Sequence, residues 1–176
     1  TIMASILKVN TIQDATNSTT AISVDTAGRV STPVRVGFAG ISPRPHDTSN
    51  STVTTGQNVY MDTEYFNSGH FVNSTATGQG QFTCPVAGAY LLQAYFLVDN
   101  DAPDTQLCRY SWRLNGTEKY IAYDNNRSTG GGTYYEGMMS AGGVLICSEN
   151  DIITLQVTAG KIHSAAESSM SIYYLG

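Results

Sequence analysis

Charge is scarce in this chain. Charged residues make up 13% of its 176 positions, about half the ~25% of an ordinary soluble domain, so solubility must rest on Ser, Thr, Asn, Gln and Gly. Such a surface suits extended β structure and protein contact better than a charged helical exterior. Lys and Arg number nine against fourteen Asp and Glu, a formal net charge of −5. With no basic run anywhere, a nucleic-acid surface is excluded, because phosphate contacts need clustered cations. Long apolar runs are also missing. Nothing approaches the ~18 consecutive apolar residues of a membrane helix, and the opening TIMASILKVN lacks the apolar core of a secretory signal. The expectation is synthesis in the cytosol, with no membrane insertion. Thr1 is what removal of an initiator methionine ahead of a small residue would leave, and an expression remnant would leave it equally well.

Catalytic and metal signatures are absent too. His46, His70 and His163 each sit among turn or polar residues and belong to no nucleophile or metal motif. Ser5 and Lys8 make a nominal Ser-x-x-Lys, but on a segment with no pocket around it. Gly78 and Gly80 precede no helix that could cradle a phosphate. Cys84, Cys108 and Cys147 are odd in number and match no zinc spacing. They read as buried free thiols, with one disulfide plus a leftover as the competing arrangement. A non-enzymatic protein without cofactor is expected. Five Asn-x-Ser/Thr sequons, at Asn17, Asn50, Asn73, Asn115 and Asn126, are what a chain rich in Asn, Ser and Thr makes by chance; in a secreted protein they would mark surface loops.

What the chain has in abundance is alternation. Helical periodicity is nearly lacking, whereas period-two patterning recurs over residues 34–41, 57–61, 88–98, 107–114, 119–123, 133–147, 152–157 and 170–175. Turn-rich segments such as SPRPHDTSN, DNDAPDTQ and NNRSTGGG separate them. In the fourth run Cys108, Tyr110, Trp112 and Leu114 point one way and Arg109, Ser111 and Arg113 the other, as in a half-buried antiparallel strand. About eight such strands predict an all-β fold, a two-sheet sandwich or jelly roll.

Residues 1–32 have a different texture from the 33–176 head. Two short alternating runs carry Leu7 and Val9, then Ile22 and Val24, with Gly28 marking a tight turn. So little strand cannot bury a core. This arm must pair with its own copies or with another protein.

The run QFTCPVAGAYLLQAYFLVDND, residues 81–101, raises a specific question. Pro85 and Gly88 belong where a strand begins, since proline cannot donate to a ladder and glycine weakens a strand interior. Beyond them Tyr90, Leu92, Ala94, Phe96 and Val98 share one face, while Leu91, Tyr95 and Leu97 make the opposite face nearly as apolar, broken only by Gln93. An antiparallel strand in a small domain normally keeps one face wet. The second face therefore demands a cover.

QFTCPVAGAYLLQAYF resembles the segment by which complement-type and tumour-necrosis-factor-like jelly-roll heads are recognised. Other pieces follow in matching order: Val36–Ala39, Asn67–Phe71, Arg113–Gly116, Asn150–Val157 and Ser169–Gly176. The likeness spans roughly residues 34–176. It implies a tight homotrimer in which one sheet of each protomer packs around a three-fold axis, placing Leu91, Tyr95 and Leu97 at the interface. The eleven Tyr against five Phe suit that use, because a Tyr ring packs while its hydroxyl stays paired or wet. The arm points elsewhere. ASILKVNTIQDATNSTTAISVDTAGRVSTP resembles the opening segment of tailed-bacteriophage fibre and appendage proteins, which often carry a complement-type head downstream. It implies a virion protein made in the bacterial cytoplasm, either a capsid decoration or cement protein or a short tail fibre. Leu7, Val9, Ile22 and Val24 would then contact other virion proteins.

Two further sites are expectations of the same reading. Asp99, Asp101 and Asp104 could ligate calcium through their carboxylates, as some complement-type heads do near the trimer apex. Against this, Asp104 stands where a calcium hand needs its turn glycine and Tyr110 where it needs a glutamate, so a solvated acidic turn is the simpler account. Tyr134 and Tyr135, with Tyr120 and Tyr123 nearby, could stack on a host surface glycan, which would make the protein a receptor-binding adhesin. Filling the core or an interface is their ordinary use. A secreted cytokine-like trimeric ligand is the remaining alternative.

Overall fold

The structure, a computed structural model, describes residues 11–13, 20–24, 26–27, 30–31, 36–44, 52–73, 79–99, 108–124, 136–163 and 167–176. The chain divides into two compact units, Thr1–Arg35 and Val36–Gly176. In the first, strands β1 (Thr11–Gln13), β2 (Thr20–Val24) and β3 (Val30–Ser31) form an antiparallel sheet in that order. Ile12 lies opposite Ile22, and Val24 opposite Val30. The second alternating run thus supplies two strands rather than one, folded back at the Thr26–Ala27 turn.

The second unit holds eleven described strands: β4 (Gly37–Arg44), β5 (Thr52–Thr54), β6 (Tyr60–Asn67), β7 (Gln81–Thr83), β8 (Gly88–Asp99), β9 (Cys108–Leu114), β10 (Thr117–Asp124), β11 (Glu136–Cys147), β12 (Ile152–Ala159), β13 (Lys161–His163) and β14 (Ser169–Tyr174). They make two antiparallel sheets. The smaller runs β10-β9-β12-β7; the larger runs β5-β13-β8-β14-β4-β6, with β11 also on β8. Strand β8 is the axis of the larger sheet. Along one edge it pairs with β11 over its whole length, and along the other with β14 and then, at Val98 and Asp99, with β13.

Alternation built the sandwich as expected. Phe38, Phe82, Tyr90, Leu92, Phe96, Tyr110, Trp112, Ile153, Leu155 and Ile172 are buried between the sheets. The polar atoms of its aromatic residues are satisfied across the core: Tyr110 Oη donates to the Met139 carbonyl at 2.6 Å, and Trp112 Nε1 to the Ala141 carbonyl at 3.2 Å. Because Tyr110 and Trp112 lie on β9 and their acceptors on β11, these bonds tie one sheet to the other. A buried hydroxyl or indole without such a partner would cost free energy instead. The Asn115-Gly116 pair closes the β9–β10 hairpin with φ of 49° and 78°, the left-handed geometry a two-residue hairpin turn requires.

Several strands depart from the expected spans, each for a physical reason. β6 runs to Asn67, well past the expected end at Met61, because Asp62 to Tyr65 are all exposed on an edge strand and leave no apolar period to read. β4 includes Pro43, tolerated where Ser42 takes φ 59° and the ladder to β6 shifts register between Ala39 and Gly40. The three-residue β13 is too short to show a period, and follows Gly160 at φ 67°.

The run 81–101 proves to be two strands in different sheets. Gln81–Thr83 pairs with β12 in the small sheet, the chain bends through Pro85–Ala87, and Gly88 opens β8 in the large one. Gly88 has φ 149°, and a Cβ there would lie 2.7 Å from the Gly176 carbonyl oxygen and 2.7 Å from the Tyr174 ring. Both contacts are below van der Waals distance and one is to backbone, so the corner depends on glycine. Gly88→Ala is expected to destabilise the head by about 1–3 kcal/mol, read as a lower denaturant midpoint; an unchanged midpoint would show that the C-terminal strand yields freely.

The candidate interaction face

Strands β8, β11 and β14 of the large sheet bury alternate residues, so the others form an outer face. On β8 that face carries Leu91, Gln93, Tyr95 and Leu97. Leu91 and Leu97 are half-buried by their strand neighbours, and Tyr95 is 47% exposed. Register identifies the surroundings. Leu97 lies opposite Met138; Tyr95 between Ser140 and Ser169; Gln93 between Gly142 and Ser171; Leu91 between Val144 and Tyr173. Beyond β14, Ile41 and Ala39 continue the middle two rows.

The rows differ in size. Small residues on β11 and β14 flank Tyr95 and Gln93 in the middle rows, leaving a shallow depression of about 500 Å³ whose walls include Ala39, Ile41, Tyr65, Gln93, Tyr95 and Gly142. A Cβ at Gly142 would lie 2.6 Å from the Leu92 carbonyl oxygen, so glycine here keeps β11 close to β8. Either side, Met138 and Val144 are 38% and 45% exposed. Large apolar side chains standing together on one sheet face, with a shallow trough between them, are the features of a packing surface. Among the described residues no carboxylate, imidazole or ammonium lines the trough.

The other sequence-derived candidates are placed as follows. Ile22 and Val24 lie on β2 of the arm sheet; Leu7 and Val9 lie outside the described residues. Tyr134 and Tyr135 also lie outside them, as do Asp101 and Asp104, while Asp99 is the last residue of β8. Among the described residues no three metal-ligating side chains come together. Tyr120 is committed elsewhere: its hydroxyl donates to the Val144 carbonyl at 2.6 Å, and a Cβ on Gly143 would meet its ring at 2.4 Å. It closes the side of the sandwich between β10 and β11, a use that its position in an alternating strand did not reveal. His70 stands edge-on to Phe82 at 6.4 Å, an ordinary packing role. Gly80, at φ 66°, makes a tight turn against Val59. Asn73 and Asn115 are structural: the Asn73 side chain accepts from the Met61 amide, while Asn115 accepts from the Ile152 amide and donates to Asp151.

All three cysteines are buried free thiols. Cys84 and Cys147 sit in hydrogen-bonding contact at the sheet corner, a pairing their separation in sequence gave no reason to expect. Burial pushes the Cys84 thiol far up, with the adjoining Cys147 reinforcing the effect; burial also raises Cys147. Since the thiolate is the reactive form, Cys84 and Cys147 are not expected to react with a disulfide reagent at pH 8 until the protein unfolds, and burial shields Cys108 in the same way. Fast labelling of the native protein at Cys84 would contradict this.

No protein-family model matches the chain, and neither does any curated protein sequence. Solved structures do match. The globular domain of the zebrafish complement 1qA protein aligns over 80% of this chain and 96% of its own, with 15% identity and a TM-score of 0.54. The Eiger TNF from S. frugiperda aligns over 81% of this chain and 93% of its own, with 16% identity and a TM-score of 0.55. The fold is therefore the jelly roll of the complement C1q and tumour-necrosis-factor type.

Proposed function

We propose that this chain is a non-enzymatic virion structural protein of a tailed bacteriophage, acting as a homotrimer. The head packs the outer face of its large sheet around a three-fold axis, and the arm of residues 1–32 fastens the trimer to other virion proteins of the capsid or tail. One observation carries the trimer: the face of Leu91, Tyr95, Leu97, Met138 and Val144 is apolar and open to solvent in the single chain. Burying such a face against copies of itself releases water from all of them at once, and closed symmetry exhausts the surface. The phage setting rests on the arm, whose Leu-Lys-Val-Asn-Thr-Ile-Gln and Asp-x-x-Gly-Arg-Val segments resemble those of phage appendage proteins. Its three short strands make an antiparallel sheet of the kind that gains order by strand addition from a neighbour.

Three experiments test this reading. Light scattering of the whole chain at micromolar concentration is expected to return three chain masses, and a monomer would end the trimer reading. Labelled antibody against the head is expected to decorate intact phage particles, and its absence from them would end the virion reading. Removing residues 1–32 is expected to leave a folded head that no longer attaches; a head that fails to fold would make the arm part of the core.

A further inference from the structure

We infer that the outer face of the small sheet, on β9, β10 and β12, carries a binding site for a compact oxyanion: a carboxylate, phosphate or sulfate group. It stands apart from the apolar face of the large sheet. Three successive outward residues of β9 build it: Arg109, Ser111 and Arg113.

Ladder register shows that the two arginine side chains flank Ser111, one toward β10 and the other toward β12. Arg109 Nη2 bonds Glu118 Oε1 at 2.5 Å, and Glu118 lies opposite Arg113 in the ladder. The Arg109 side chain therefore runs along the strand on its β10 side, toward the row of Arg113. Arg113 Nη1 bonds Gln156 Oε1, and Gln156 lies opposite Ser111, so the Arg113 side chain leans back the other way. The two cations thus stand on either side of one serine, Arg109 paired with a carboxylate on β10 and Arg113 with a neutral amide on β12. Locally the charge is +1 in a chain whose net charge is −5.

Hydrogen-bonding capacity is left over in this cluster. Ser111 is fully buried, yet its Oγ has no partner, and Arg113 Nε is buried without one as well. Buried polar atoms in a native protein are nearly always paired, and exceptions call for an explanation. Nε and the adjacent Nη form the edge with which an arginine grips a carboxylate or phosphate in a fork. Gln156, a neutral amide, occupies only Nη1. An oxyanion seated beside Arg113 would accept from Nε and from Ser111 Oγ. The neighbouring Arg109 and Glu118 side chains are 32% and 26% exposed, so the cluster lies near the surface, and an entering oxyanion must displace side chains to reach the buried atoms.

The test uses the full chain at pH 7, with inorganic phosphate and acetate as probes and chloride at matched ionic strength as reference. Melting and isothermal calorimetry are expected to show saturable stabilisation by one or both probes. Arg113→Gln is expected to weaken that binding about tenfold or more, as for loss of a charge-assisted hydrogen bond. Ser111→Ala is expected to weaken it too, while leaving the ligand-free midpoint unchanged or higher, because it removes an unpaired buried hydroxyl rather than a contact. Lys119→Gln, exposed on the neighbouring strand, should change nothing. Absence of saturable binding, or equal binding by wild type and both site variants, would overturn the inference. Neither outcome depends on the oligomeric state, so this site and the trimer stand or fall separately.

Discussion

Phe96→Ala is expected to cost the head about 3–5 kcal/mol, the range for deleting a fully buried aromatic ring, and to lower its melting midpoint by roughly 10 °C. Phe96 has no exposed surface. Its ring meets Tyr110 edge-on at 5.1 Å, and Tyr110 in turn bonds the carbonyl of Met139, the residue opposite Phe96 in the β8–β11 ladder. Removing the ring empties a space bounded by both sheets, which the cross-sheet hydrogen bonds hold apart, so collapse can fill little of it. Urea denaturation followed by tryptophan fluorescence measures the effect, since Trp112 is the only tryptophan and is itself buried. A loss under about 1 kcal/mol would mean that the core repacks freely around position 96, contrary to the close packing of protein interiors.

The residue next along the chain should behave in the opposite way. Leu97→Lys, like Leu91→Lys, is expected to leave far-ultraviolet circular dichroism unchanged and to convert the assembled protein to single chains in light scattering. Neither leucine faces the core: Leu97 lies beside Met138, and Leu91 between Val144 and Tyr173, on the outer face. In a single chain an ammonium group there extends into water at little cost. Around a three-fold axis the same charge would be buried without a partner three times over, costing several kcal/mol at each copy. Assembly that persists in both variants would remove this face from the interface. Equal unfolding by Phe96→Ala and Leu97→Lys would show that the two faces of β8 are not distinct.

Much of this architecture was legible in the residues. Of the core face named by the alternation, Tyr90, Leu92, Ala94 and Phe96 are buried, because a strand's side chains alternate by geometry alone; the side chain of its last member, Val98, lies outside the described residues. Cys108, Tyr110 and Trp112 were likewise placed inward correctly. What escaped was set by pairing between distant segments. Nothing in QFTCPVAG says that Gln81–Thr83 bonds to β12 while Gly88 onward joins β11 and β14, since a strand carries no mark of its partner. Edge strand β6 escaped for a related reason: hydrogen bonds to β4 hold it, and its exposed residues were free to be polar. Tyr120 over Gly143, the touching thiols of Cys84 and Cys147, and the pairing of Arg109 with Glu118 and of Arg113 with Gln156 on either side of Ser111 all join residues that only the stacking and register of the sheets bring together.

By itself, then, the sequence determined the β class of this protein, the inward face of its main strands, and the existence of an apolar face that the single chain does not cover. Each follows from local rules: a period of two, the turn chemistry of Gly, Pro and Asn, and the preference of apolar side chains to leave water. The tertiary structure alone decided which strands are neighbours, that the run from Gln81 to Asp101 crosses from one sheet to the other at Pro85–Ala87, and which polar side chains on the outer faces pair. Those are properties of contacts between segments far apart in the chain, where the energy depends on register and on the partner, and neither is written in any single stretch of residues.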